Sequence, residues 1–321
     1  MIRNLSKSLA KKLMRICPAY PEKNDMARKE IFDQKEYKEM PQEEKDRIKL
    51  QSAQFRYDYE NLMCFFDKYF PNFNTNEFNN KSVLDLGSFT GGRLVYWAEK
   101  YQFGEAYGID ISPVFAEAGN LFAKHKGINA HFDTGFGEDL PYESSYFDFV
   151  ITYDVFEHVQ NVEKVMDECF RVLKSGGRLL AVFPQFFQPL EAHLGMITKM
   201  LALHWFFSGD VITEVYYETG QQRGLEASWY ARKNPKLDTW ERLPSLNGIT
   251  IGKFRRIIKK NNWNLNYWRT DPILSDGRRS NQVVFRLLRT CFIIPARLPI
   301  LEELFLSRIG VILEKPDFDT L

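Results

Sequence analysis

Two neighbouring strings place glycine and carboxylate where ligand chemistry needs them. In Val83-Leu84-Asp85-Leu86-Gly87-Ser88-Phe89-Thr90-Gly91-Gly92, an apolar run reading as a buried strand ends in a turn, where Gly87 and Gly91 let the backbone bend tightly. Open α/β sheets bind ligands at that carboxyl end of a strand. The second string, Ala106-Tyr107-Gly108-Ile109-Asp110, closes on an acid 25 residues after Asp85. At that spacing a strand-end carboxylate accepts hydrogen bonds from a ribose diol. A glycine turn alone occurs in any α/β protein; the strand-end acid narrows the reading.

Proton transfer needs a group that titrates near neutrality, and the chain has five histidines, at 125, 131, 158, 193 and 204. His158, in Phe156-Glu157-His158-Val159, follows a further apolar run and is placed to take a proton from a hydroxyl, or else to hydrogen-bond the strand end. His193 and His204, in QPLEAHLGM and ALHWFF, fall in the aromatic stretch beyond Phe183. Each reads as a base, a substrate ligand or a packing residue. His125, beside Lys124, reads as a solvated helix end. No HxH or HExxH spacing occurs, so no metal site is expected. Cys17, Cys64, Cys169 and Cys291 form no CxxC pair and read as buried thiols in a reducing compartment.

The elements that position these residues follow from periodicity. Residues 1–80 are helical in pattern, with Phe55, Tyr59, Leu62, Met63, Phe66 and Phe70 apolar at helical spacing. Residues 81–183 alternate short apolar runs with amphipathic stretches: strands at Val83–Leu86, Ala106–Asp110, Ile128–Phe132, Phe147–Tyr153 and Leu179–Phe183, with a turn at Gly176-Gly177. Such alternation means βαβ units and a parallel sheet. Beyond lie an aromatic insert, 184–247, and a C-terminal part, 248–321, with a basic helix over Ile249–Asn261, a strand at Leu265–Thr270 and a last apolar run, Ile309–Leu313.

Composition excludes more than it names. With 321 residues, 44% hydrophobic and 26% charged, the chain is neither disordered nor fibrous. A net charge of +1 removes the simplest argument for nucleic acid. It is a sum of opposites: residues 129–170 hold ten acidic side chains and one basic, whereas 231–300 hold fifteen basic and four acidic. Met1–Cys17 has five basic residues, no acidic one and no uninterrupted apolar core, so it does not read as a secretory signal. No run of about 18 apolar residues suggests a transmembrane helix. The expectation is a cytoplasmic protein. The N-terminal amphipathic stretch could lie on a membrane surface or cap the core, the cap being preferred.

Four ordered strings resemble the class I S-adenosylmethionine-dependent methyltransferases, in particular the small-molecule branch called type 11: VLDLGSFTGG, YGIDIS, GEDLPYESSYFDFVITYDVFEHV and VLKSGGRLLAVFP. The resemblance covers roughly residues 81–183. It implies an α/β fold, a Rossmann-like seven-strand sheet in which Ile309–Leu313 pairs antiparallel with the strand near Leu265, carrying a helical N-terminal extension (1–80) and an inserted aromatic lid (184–247). It implies S-adenosyl-L-methionine as cofactor, with Asp85 and Gly87 under its methionine and Asp85 favouring the ammonium. Ser88 and Gly91 of the same turn, and Ile111 and Gly137, join the cofactor contacts. Asp110 would hold the ribose, Glu138 and Asp139 would flank adenine, and Tyr153 and Asp154 would face the reaction centre. Two positions depart from the family: Phe89 stands for the middle glycine, and Phe136 for an acid in the adenine motif.

These implications predict methyl transfer by SN2 displacement to a small or glycan- or lipid-linked acceptor, with oxygen favoured as acceptor atom. FPQFFQPLEAHL and LHWFF resemble inserts of family members associated with cell-surface glycan and lipid assembly. Between Phe183 and Trp240 the aromatics, including Phe186, Phe187, Trp205, Phe206, Tyr216, Tyr217, Trp229 and Tyr230, suit a lid over such an acceptor or a self-packed helical subdomain. Two alternatives stay open. A nicotinamide-dependent oxidoreductase could share the topology, although no GxGxxG follows the first strand. A catalytically degenerate methyltransferase-like partner subunit would account for Phe89 and Phe136.

Overall fold

The computed structural model describes residues 2–19, 32, 35–189, 194, 197–223, 246–273, 283–298 and 301–317. In chain order the helices and strands begin with α1 (Ile2–Ile16), α2 (Lys35–Glu39), α3 (Gln42–Met63), α4 (Phe65–Tyr69), β1 (Ser82–Leu86), α5 (Gly92–Tyr101), β2 (Glu105–Asp110) and α6 (Pro113–Lys126). They continue with β3 (Ala130–Thr134), β4 (Phe147–Tyr153), α7 (Val162–Val172), β5 (Leu173–Pro184), α8 (Leu203–Phe206) and α9 (Gly209–Gln222). The last are α10 (Ile251–Lys260), β6 (Asn264–Pro272), α11 (Val283–Ile293), α12 (Glu302–Phe305) and β7 (Leu306–Glu314).

The seven strands form one sheet in the order β3-β2-β1-β4-β5-β7-β6. β1 to β5 pair in parallel, and β7 runs antiparallel between β5 and β6. Leu265 pairs with Leu313, as the resemblance implied. The strand order reverses at β1, which has β2 on one side and β4 on the other, so the carboxyl end of β1 is the switch point where such sheets bind ligands.

Both faces of the central strands are buried, which explains their continuous apolar runs. Alternate residues go to opposite sides. Leu84, Val150, Leu179, Ala181, Val311 and Leu313 pack with Val165, Met166 and Cys169 of α7 and with Phe254, Ile257 and Ile258 of α10. Val83, Phe149, Ile151, Leu180, Val182 and Ile312 pack on the other face with Phe65, Phe66, Tyr69 and Phe70 and with Trp97 of α5. Much of the aromatic content therefore lies here, under the N-terminal helices, with Phe78 and Phe149 ring centroids 4.7 Å apart. α3 packs against α5 and α6, completing that layer.

Three local expectations change. The strand expected from Leu179 starts at Leu173 and contains the Gly176-Gly177 pair, because the flank of β7 binds it: Gly176 N donates to Lys315 O at 3.0 Å, and Lys315 N to Gly177 O at 2.9 Å. The strand expected at Ile128–Phe132 runs Ala130–Thr134. Of the four cysteines only Cys169 is buried; Cys64 is half-buried, and Cys17 and Cys291 are exposed at helix ends that the core does not cover.

Candidate functional site

The turn after β1 is tied to β2 by backbone bonds. Gly87 N and Ser88 N both donate to Ile109 O, at 2.9 and 3.0 Å, and Gly91 N donates to Ser88 O at 3.0 Å. Gly87 has φ +79°, and a Cβ there would lie 2.2 Å from Val155 Cγ2 in the loop after β4. Only glycine satisfies both demands. Phe89 takes φ +50°, the left-handed conformation a glycine would adopt freely. That conformation costs a bulky residue about 1–2 kcal/mol. It is held by three contacts: Phe89 N donates to Asp110 Oδ2 at 3.1 Å, its ring lies 4.2 Å from that of Phe115, and the Arg56 guanidinium is 4.6 Å above it.

Asp110 ends β2 and fixes two loops. Beyond Phe89, its Oδ1 accepts from Ser112 N at 3.1 Å. A carboxylate offers about four lone-pair directions, so two backbone donors do not exhaust it as an acceptor for a diol. Ile111, next in sequence, is half exposed. Asp110 pairs with Thr134 at the end of β3, and Gly135 N donates to Asp110 O at 3.0 Å, so the loop bearing Gly137, Glu138 and Asp139 adjoins this edge. In that loop Phe136 exposes most of its ring, Gly137 is buried against Val165, and Asp139 is exposed. Glu138 Oε1 accepts from Gln160 N and Asn161 N at 2.8 and 3.1 Å, which secures the entry to α7.

Asp85 is fully buried and faces Arg93, whose Nη2 lies 3.1 and 3.5 Å from its two oxygens. Burial pushes the Asp85 carboxyl up, and the Arg93 guanidinium opposes that rise. Glu60 shows the same balance, its carboxylate receiving Trp97 Nε1 at 2.8 Å and Phe65 N at 3.1 Å. Arg93 also stacks over Trp97, at 5.0 Å, and Tyr153, at 5.4 Å.

Tyr153 and Asp154 stand at the end of β4, beside the β1 turn, since Leu86 pairs with Thr152. Asp154 takes φ +57°, and its N donates to Val182 O at 2.9 Å. Its carboxylate is bridged by the buried Arg308 of β7, whose guanidinium lies 5.3 Å over the Tyr153 ring. Tyr153 is thus flanked by Arg93 and Arg308, and its hydroxyl is 3.4 Å from that of Tyr69.

His158, half-buried in the next turn, places Nε2 3.7 Å from Oε1 of the buried Glu157. Asn247, from far along the chain, clamps that turn by donating to Phe156 O at 2.7 Å and Val159 O at 2.6 Å. After β5, Gln185 braces the chain by bonds to Glu303 O, to Leu306 O and from Phe187 N. Gln188 is equally buried, yet both its amide atoms lack a hydrogen-bond partner. His204 is buried 5.5 Å from the Phe186 ring, and burial drives its pKa down to about 4, with the Phe187 and Phe186 carbonyls opposing. His193, Trp229, Tyr230 and Trp240, with part of the aromatic insert, lie outside the described residues.

The sequence reading missed Arg93, Arg308, Asn247 and Tyr69. Arg93 had a signal, following directly on the glycines; Arg308 had none, being 154 residues from Asp154.

Residues 84–181 match the sequence family described as Methyltransferase domain. Norajmaline N-methyltransferase of Rauvolfia serpentina is 35% identical over 102 residues, 31% of this chain and 35% of that one. Probable chloroplastic tocopherol O-methyltransferase of Oryza sativa subsp. japonica is 36% identical over 104 residues, 32% of this chain and 28% of that one. The chain thus spans about a third of the length of the curated relatives it matches. Among solved structures, a putative sarcosine dimethylglycine methyltransferase from Galdieria sulphuraria is 16% identical, covers 88% of this chain and 91% of its own, and superimposes with a TM-score of 0.46. The carboxyl end of the switch-point strand β1 and the strand-end Asp110 both lie within residues 84–181, so the segment that matches the methyltransferase-domain family is also the one that builds this site.

Proposed function

We propose that this chain transfers the methyl group of S-adenosylmethionine to a hydroxyl of a small or glycan- or lipid-linked acceptor. The observation that carries the reading is Asp110: a carboxylate anchored by Phe89 N and Ser112 N at the end of β2, beside the glycine turn of the switch-point strand. The residues present fit the cofactor. Asp110 would accept the ribose hydroxyls, and the half-exposed Ile111 and Phe136 would offer apolar faces to adenine. Glu138 would shape the adenine edge from its bonds to Gln160 N and Asn161 N, with Asp139 on the rim. The Asp85–Arg93 pair matches the opposite charges of an amino-acid end, so Asp85 would share the ammonium's attraction with Arg93.

The cofactor supplies a sulfonium methyl already activated by its charge; the protein has only to align the acceptor and remove its proton. Tyr153 and Asp154, fixed by Arg308, would form the floor at the reaction centre. His158 is the base of this scheme, oriented by Glu157. His204, neutral at pH 7 with a pKa of about 4, would pack against the acceptor and is too weak a base to take its proton.

Titration calorimetry with S-adenosylmethionine tests the reading. The parent should bind, and Asp110→Ala should bind about a hundredfold more weakly or worse, since hydrogen bonds to a charged group contribute about 1.5–3 kcal/mol each. A parent chain with no affinity ends the proposal. Labelled-methyl incorporation into glycan and lipid fractions then tests the acceptor: His158→Gln should abolish transfer to a hydroxyl while leaving cofactor affinity in place.

A further inference from the structure

The N-terminal helix α1 presents an unusual face to its surroundings. Its inner side is committed: Ala10 and Met14 are buried in a cluster with Val211, Ile212 and Val215 of α9. Its flank is committed too, because Arg3 and Lys7 pair with Glu214 and Lys11 pairs with Glu218. The remaining side carries Ile2, Leu5, Leu9 and Ile16, exposed to 84%, 71%, 49% and 66%. At 100° per residue these four fall within about 60° of one another, a single stripe along the helix. Lys12 and Arg15, both exposed, border the stripe, and α1 contains no acidic residue.

Four large apolar side chains aligned in water contribute nothing to folding the chain; an apolar stripe edged by bases is the form of a helix lying in a bilayer interface. We propose that α1 seats the protein on an anionic membrane surface, with Ile2, Leu5, Leu9 and Ile16 in the headgroup–acyl boundary and Lys12 and Arg15 against lipid phosphates. A second copy fits less well. A two-fold interface through this stripe would oppose helices that carry bases and no acids. Two of the three acids of α9, Glu214 and Glu218, are matched by bases of α1 and so do not work against a bilayer. The contact is a seat and not a span: among the described residues no helix is long and apolar enough to cross a membrane.

The seat is joined to the acceptor side of the sheet. Lys199 N donates to Cys17 O at 2.7 Å, and Ala19 N to Ile197 O at 3.0 Å, fastening the end of α1 to the segment before α8. That segment reaches the residues after β5 through Ala202 N to Pro189 O, 3.0 Å, and Trp205 Nε1 to Phe187 O, 2.8 Å. Leu201 and Phe206, in and beside α8, are further exposed apolar residues on this route.

Vesicle flotation tests the seat without any methyl transfer, so it stands or falls apart from the proposed reaction. The parent chain should float with phosphatidylglycerol vesicles and at least about tenfold less with phosphatidylcholine vesicles. Lys12→Gln with Arg15→Gln should weaken flotation with phosphatidylglycerol roughly thirtyfold, at about fivefold per basic residue. Leu5→Glu with Leu9→Glu should abolish it, while the circular dichroism spectrum stays that of the parent because both positions are exposed. No flotation of the parent with phosphatidylglycerol, or unchanged flotation of the leucine variant, overturns the proposal. So does a parent that is dimeric in solution, binds no vesicle and becomes monomeric in the leucine variant, which would give the stripe to a second copy.

Discussion

The carboxyl edge of the sheet divides into two halves built by different means. The half around β1 and β2 is local: Gly87, Ser88, Phe89, Asp110 and Ser112 are fixed to one another by backbone donors within one βαβ unit. The half around β4, β5 and β7 is assembled from distant chain, with Tyr69, Asp154, Asn247 and Arg308 held by side chains. A backbone-built site varies little with sequence and suits a ligand shared by a whole family. A side-chain-built site can be re-specified one residue at a time, which suits an acceptor peculiar to one member.

Four measurements would break or sharpen that contrast. The largest effect is expected at Gly87→Ala, where a left-handed φ and a clash with Val155 Cγ2 add to a loss of about 3 kcal/mol in urea denaturation. Adding Val155→Ala should recover roughly 1 kcal/mol, because that side chain is the obstacle; no recovery would mean the turn is rigid on its own. Next comes His204. Its folded pKa of about 4 lies below the unfolded value of 6.5, so the unfolded chain binds more protons between them. Stability is full above pH 6.5 and falls by about 2–3 kcal/mol as pH drops through about 4. His204→Phe should flatten that stretch of the curve, and an unaltered slope would show that His204 does not titrate in this way.

Asp154→Asn removes the carboxylate facing the buried Arg308 and should cost about 2 kcal/mol, toward the low end for buried pairs because Asp154 is partly exposed. Affinity for S-adenosylmethionine should change less than about threefold; a tenfold loss would merge the two halves into one site. The smallest effect is expected at Phe89→Gly. Relief of left-handed strain, about 1 kcal/mol, offsets lost contact with Phe115 and Arg56, leaving a net change within about 1 kcal/mol. A tenfold gain in cofactor affinity would show that the ring obstructs the site.

Legibility followed the same division. The strand-turn-strand frame and the position of Asp110 could be read because each depends on a few consecutive residues, whereas the antiparallel pairing of the final run was implied only by the family resemblance. Phe89 could be seen to stand where a glycine belongs, but not that it would adopt the glycine's φ; that follows from the Asp110 bond and the Phe115 ring. Asp85 could be named, while its burial against Arg93 depended on how α5 packs on β1. Part of the aromatic content concentrates in the stretch after β5, as its sequence shows, and Phe65, Phe66, Phe70, Phe78 and Trp97 form a second dense aromatic layer beneath the N-terminal helices.

The sequence by itself determined the frame: apolar runs long enough to be covered on both faces, glycine where the first turn needs a positive φ, and an acid at the end of the second strand. These are decisions of local backbone geometry, and neighbouring residues suffice to make them. Only the tertiary structure decided which side chains meet from afar. The antiparallel register of β7 sets Arg308 beside Pro184 and so within reach of Asp154. The packing of Ala10 and Met14 on α9 turns the Leu5–Leu9 stripe of α1 outward. Such contacts depend on the relative placement of elements more than a hundred residues apart, and no local pattern in the chain carries that placement.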